Sequence, residues 1–183
     1  MHSERRWKRR GLARSGLVAL IVGACALAYS AAATPPAPSA TSENPSGLPV
    51  PRYVTLKSNP VKARSGPSDD HRVLWDYQVR GLPVQVVGET KDWRRICDPD
   101  GSLSWVNKLT TDGRRAVMRT APGQAPIYQS PHDNARVAAY LANRGLAALD
   151  RCQGDWCKIK VGGISGWVRG ADVWGVADTP QCR

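Results

Sequence analysis

Hydrophobic and polar positions alternate in short runs along the chain from Tyr53 onward. Tyr53-Val54-Thr55-Leu56 alternates as a strand does, and so does Val61-Lys62-Ala63-Arg64. After an excursion through Val73-Leu74-Trp75 and Tyr77 to Gly81, Pro83-Val84-Gln85-Val86-Val87-Gly88 alternates again. Asp92-Trp93-Arg94-Arg95-Ile96 and Ser104-Trp105-Val106 complete the set, and Gly, Pro or Asp stands at each break, as in Ser65-Gly66-Pro67-Ser68-Asp69-Asp70. About five short strands in roughly 57 residues predict a small antiparallel barrel rather than a helical domain.

The pattern then recurs. Pro67 matches Pro131, Arg72-Val73 matches Arg136-Val137 and Gly81-Leu82 matches Gly145-Leu146, each 64 residues on. The offset becomes 63 at Asp92-Trp93 against Asp155-Trp156 and at Ile96 against Ile159, then 62 at Trp105-Val106 against Trp167-Val168. Both one-residue changes fall in turns, where insertions are tolerated. A second unit therefore begins at Arg114 to Thr120 and runs through Ile127-Tyr128 and Leu146-Ala147-Ala148-Leu149 to Val173-Trp174-Gly175-Val176. Ala135 to Asn143 has helical composition, but its place in the repeat predicts a loop or a single turn. The expected fold is all-β, with one barrel over residues 52–112, a second over 113–178 and a tail at 179–183.

The N-terminal part has a different character. Basic residues between Arg5 and Arg10 precede an uncharged apolar run from Leu17 to Tyr29, and small residues follow. That order describes an export signal over residues 1–33, cut after Ser30 or Ala33, with an apolar run too short to favour a spanning helix. Val22-Gly23-Ala24-Cys25 offers an alternative, lipid attachment at Cys25, and an uncleaved anchor is a third possibility. Residues 34–51 hold six Pro and almost no large apolar side chain, which predicts a disordered linker. Of the net charge of +11, this first segment carries +5; the rest, with 20 of the 26 basic and 14 of the 15 acidic residues, is modestly basic.

The residues that recur resemble a known family, the bacterial SH3-like (SH3b) domains, in tandem. Val61-Lys62-Ala63-Arg64-Ser65-Gly66-Pro67 is similar to the family's opening, and Asp92-Trp93-Arg94-Arg95-Ile96 and Gly154-Asp155-Trp156-Cys157-Lys158-Ile159 with Gly166-Trp167-Val168 carry the rest. The second copy departs at its opening, Pro126-Ile127-Tyr128-Gln129-Ser130-Pro131, which lacks the Arg and the Gly. The resemblance implies partly open five-stranded barrels and a non-catalytic binding role, often at the bacterial cell wall.

Five Cys are present, and with Cys25 in the signal four remain. An even number in an exported chain reads as a disulfide framework. Cys152 and Cys157 flank a turn on neighbouring strands, close enough for a bridge, and Cys97 with Cys182 would tie the tail to the first barrel. A zinc site is the competing reading, but the Cys-x4-Cys spacing is loose for zinc and no His lies nearby.

Strand parity gives the aromatic residues their faces. Ile159 and Val161 share one face of their strand, while Trp156, Lys158 and Lys160 share the other; the same parity separates Trp93 from Ile96. Trp93 and Trp156 are thus candidate exposed platforms for a sugar or a peptide, with Arg95, Lys158 and Lys160 beside them to meet a carboxylate. The alternative is that each Trp caps its barrel or packs against the other copy. Trp105 and Trp167, each followed by Val, read as core.

No catalytic residue is expected: neither Gly-x-Ser-x-Gly nor His-Glu-x-x-His occurs, and His71 and His132 sit in Asp-rich turns. No cofactor, metal or nucleic-acid partner is expected either, the last because of the export signal and the acidic residues of the body. The expectation is an exported binding module of the periplasm and cell envelope. Its partner would be peptidoglycan or, alternatively, a periplasmic protein recognised as a peptide, with membrane contact only through the N-terminal segment.

Overall fold

The computed structural model describes residues 44–182. The expected export signal and most of the linker lie outside the described residues. The first sheet is built from Arg52–Leu56 (β1), Val61–Arg64 (β2), Val73–Tyr77 (β3), Pro83–Glu89 (β4), Trp93–Cys97 (β5), Leu103–Asn107 (β6) and the short Thr111–Asp112 (β7). Ala116–Met118 (β8), Ala125–Tyr128 (β9), Val137–Leu141 (β10), Leu146–Gln153 (β11), Trp156–Val161 (β12) and Ile164–Arg169 (β13) build the second. The sheet orders are β3-β2-β6-β5-β4-β1-β7 and β10-β9-β13-β12-β11-β8, the same path taken twice, with antiparallel pairing throughout. An isolated bridge between Met118 and Trp174 stands where β7 stands in the first copy. The described residues are all-β apart from two single 3-10 turns, and form two small SH3-like barrels in tandem.

Two details differ from expectation. The sheets have seven and six strands rather than five, because the excursion after Asp70 forms β3 and Thr111–Asp112 closes against β1. The Ala-rich stretch from Ala135 is also no loop, since Val137–Leu141 is β10, paired with β9 as β3 is with β2. Main-chain pairing along an open strand outweighs the weak preference of alanine for helix.

Alternation places the cores. In β4, Val84 and Val86 point inward with Leu56, Ile96 and Val106, while Gln85 between them points to the other face. In the second barrel Ile127, Ala147, Cys157, Ile159 and Val168 do the same. Met118 of β8 belongs to the first core, not the second, and Leu146 packs beside it. Burial of a side chain of that size stabilises by about 1.5–3 kcal/mol. The exposed Arg144–Asp100 ion pair, which also links the barrels, contributes no more than about 1 kcal/mol. The apolar plug is the stronger join.

Both ends of the described chain fold back onto the first barrel. Residues 44–51, assigned to the linker from composition, lie against it: Val50 packs on the core and Ser46 donates its backbone N–H to Glu89 Oε1 at 3.3 Å. Arg52 Nη2 reaches Glu89 Oε2 at 2.5 Å. A covered carboxylate requires such donors. Burial alone would raise the Glu89 pKa, but hydrogen bonds from Ser46 and Arg52 prevail and hold it below the usual range. At the other end Cys182 is bonded to Cys97, and Cys152 to Cys157, so both expected disulfides are present and the cysteines of the zinc reading are engaged. Among the described residues no helix is long and apolar enough to cross a membrane.

Candidate ligand-binding surface

Inward-facing Val106 and Ile96 force their strand neighbours outward. On that outer face, register aligns Arg64 of β2, Trp105 of β6 and Arg95 of β5 in one row across three strands. The second barrel repeats the row as Tyr128 of β9, Trp167 of β13 and Lys158 of β12, continued by Arg151 of β11. In the adjacent position Trp93 pairs with Asn107 and Trp156 with Arg169. The duplication therefore extends from strand order to individual cross-strand partners.

The parity assigned to Trp93 and Trp156 is correct, since neither belongs to a hydrophobic core. Their exposure is not: each is only 8% exposed. The Arg64 guanidinium lies over the Trp93 ring at 5.9 Å, and the Arg169 guanidinium over Trp156 at 4.4 Å. Tyr128 adds an edge-on contact to Trp156 with centroids 5.3 Å apart. Each indole is therefore covered by a guanidinium rather than bare, and each guanidinium is itself paired, Arg64 with Asp69 at 3.0 Å and Arg169 with Asp133.

Trp105 and Trp167, read from their neighbours as core, stand on the same outer face, opposite Val106 and Val168. Trp105 is half-buried, and Trp167 is covered by the Arg151 guanidinium at 5.5 Å. The missed signal was parity: a residue next to an inward Val in a strand must face outward. Arg95 and Lys160 are exposed and Lys158 half-buried. The five residues expected to form a site thus divide between two sheets, Trp93 and Arg95 on one and Trp156, Lys158 and Lys160 on the other.

Local geometry explains why the opening of the first copy needs its residues. Arg64 Nη1 donates to the carbonyls of Asp69 at 2.7 Å and His71 at 2.9 Å, clamping the loop it precedes. A Cβ on Gly66 would fall 2.2 Å from the His71 ring. The second copy has neither the Arg nor the Gly, yet the loop closes alike: Gln129 N donates to Arg136 O at 2.9 Å, as Ser65 N does to Arg72 O at 3.0 Å. Arg169 takes over the clamp from the opposite strand by binding Asp133, its Nε lying 3.1 Å from Oδ1. That hydrogen bond raises the Arg169 pKa further, so the stacked group stays charged.

The outer face of the first sheet is not free throughout. Gln85 is fully buried beneath the tail. Its Nε2 donates to Thr179 O at 2.9 Å, and its Oε1 accepts from Gln181 N at 2.9 Å. The side-chain amide treats the tail as a neighbouring strand would, and the Cys97–Cys182 bridge closes beside it, Gln85 and Cys97 being register partners.

No curated protein matches the chain. Among solved structures it is similar to NlpC2 from Trichomonas vaginalis, at 15% identity and a TM-score of 0.31 over 69% of this chain and 49% of that one. NlpC1 from Trichomonas vaginalis is similar at 16% identity and a TM-score of 0.31, over 69% of this chain and 46% of that one. The chain thus spans just under half the length of each. The family described as bacterial SH3 domain matches residues 57–113 and 121–175, well over half of the chain and once per barrel. With that match falling on two barrels of like topology, the chain belongs to the bacterial SH3 domain family and carries two copies of the domain in tandem.

Proposed function

We propose that the protein is a non-catalytic binding module of the cell envelope, exported from the cytoplasm, and that it binds peptidoglycan through the outer faces of its two sheets. The observation that supports this is the repeated row, Arg64–Trp105–Arg95 in one barrel and Tyr128–Trp167–Lys158 in the other. The half-buried rings of Trp105 and Tyr128 stack on sugar faces or grip peptide, while Arg95, Lys158 and Lys160 meet the carboxylates of an acidic wall polymer. Trp93 and Trp156 hold the cations above them in place. The test is sedimentation with purified sacculi: wild type goes to the pellet and Arg95→Ala/Lys158→Ala/Lys160→Ala stays in solution. Wild type remaining in solution, or a triple variant that pellets equally, overturns the proposal.

A second reading, a periplasmic adaptor for a peptide partner, is favoured by one observation. Gln85 already grips a peptide backbone, that of the tail, through both atoms of its amide. A pull-down from periplasm that enriches a single stoichiometric protein, with no binding to sacculi, supports the adaptor.

A further inference from the structure

An open cleft of about 240 Å3 lies between the two barrels. Its floor is apolar: half-buried Leu146 and exposed Ala148 form the surface, over the buried Leu56, Ala116 and Ala147. Its rim is cationic: Lys57, Arg80, Arg114 and Arg115 all line it, all four are exposed, and none of the lining residues is acidic. Arg114 is paired with Asp112, and Arg115 is occupied with Gly175 O at 3.2 Å and with the Tyr53 ring. Lys57 and Arg80 have no ion-pair partner among the described residues.

The walls are held by main-chain pairing on both sides. Leu56 is in register with Thr111, Ala148 with Ala116, and Gly81 N donates to Leu56 O at 2.7 Å. Met118, seated in the first core, fixes one wall to the other. Like charges gathered on a held frame repel one another, and an anion placed among them relieves that repulsion.

We propose that this cleft binds the C-terminal end of a short peptide with small apolar side chains, its α-carboxylate held by Arg80 and Lys57. The volume lies below the range of about 300–1,000 Å3 usual for drug-sized ligands and suits the last residues of a short peptide. A guanidinium meets a carboxylate edge to edge with two hydrogen bonds, and the ammonium adds a point charge. Methyl groups close to that carboxylate then lie on Leu146 and Ala148. A bare phosphate would set oxygens against the same apolar floor. The proposal stands on the cleft alone and does not require wall binding by the outer faces.

Calorimetric titration of the full chain with N-acetyl-alanyl-alanine tests it, using the free acid, the C-terminal amide and inorganic phosphate as separate ligands. The free acid binds saturably, and the amide binds about tenfold more weakly or worse, the cost of losing charge-assisted hydrogen bonds. Lys57→Ala/Arg80→Ala, at two exposed positions, abolishes binding of the acid while circular dichroism stays as in wild type. The proposal is overturned by absence of saturable binding, by an amide that binds as well as the acid, by phosphate that binds as tightly, or by a folded double variant with unchanged affinity. Sacculus sedimentation by the same double variant is read separately, so failure at the cleft and failure at the outer faces are told apart.

Discussion

Cys97 of β5 is bonded to Cys182, 85 residues further along, so the end of the second repeat is fastened to the outer face of the first. The Cys152–Cys157 bridge, by contrast, joins register partners five residues apart. Loop-closure entropy separates the two, at about 4.5 kcal/mol for the long loop and about 2 kcal/mol for the short one. Cys97→Ser/Cys182→Ser is therefore expected to lose roughly twice as much stability as Cys152→Ser/Cys157→Ser in urea titrations. The first variant also frees Gln85, so hydrogen exchange rises at Gln181, whose N–H the Gln85 side chain accepts.

Met118 couples the barrels. Met118→Ala is expected to cost about 2–5 kcal/mol, the range for emptying a core position. Because the side chain sits in the first core while its backbone pairs with Trp174 of the second repeat, amide exchange should quicken in β4 and β5 as well as in β8. Loss of protection confined to residues 113–176 would show that the barrels fold independently of this contact.

The guanidinium covers can be removed singly. Arg169→Ala uncovers Trp156, and Arg64→Ala uncovers Trp93. Each is expected to shift tryptophan emission to longer wavelength, as indole meets water, at a cation–π cost of about 0.5–1 kcal/mol. Both lose more than that, because the Arg64 clamp on the carbonyls of the 65–72 loop and the Arg169 pairing with Asp133 go too. Iodide quenching that rises in the variants and not in wild type is the confirming measurement.

Stability should fall at both ends of the pH scale, for different residues. Burial against Trp174 pushes the Tyr53 phenol up to about 12, whereas an unfolded tyrosine ionises near about 10. The folded value is the higher, so this contribution is intact below about pH 10 and is lost as pH climbs toward that folded value. Burial also raises the Tyr77 phenol, which donates to Asp98 Oδ2 at 3.0 Å. Tyr53→Phe is expected to flatten part of the alkaline decline and leave the part due to Tyr77. Glu89 behaves oppositely: its pKa is lowered, so its contribution is present above about pH 4.3 and is lost as pH falls below that. Urea titrations across pH, with Tyr53→Phe and Glu89→Gln beside wild type, separate the three.

Whatever depends on a residue and its near neighbours is legible in the sequence. Alternation with a period of two assigns Ile159 and Trp156 to opposite faces, and they are on opposite faces. The fixed offsets identify the duplication that reappears as two sheets of one order, and proximity across a tight turn pairs Cys152 with Cys157. What those signals do not supply is the other side of each contact. Trp93 and Trp156 are outward yet covered, because Arg64 and Arg169 arrive from strands that pairing alone brings near. Met118 lies in the neighbouring barrel's core, and the end of the linker rests on Glu89, for the same reason. A strand's parity follows from its own backbone geometry, but the cover over its outer face is set by side chains distant in sequence, whose positions exist once the sheets have assembled.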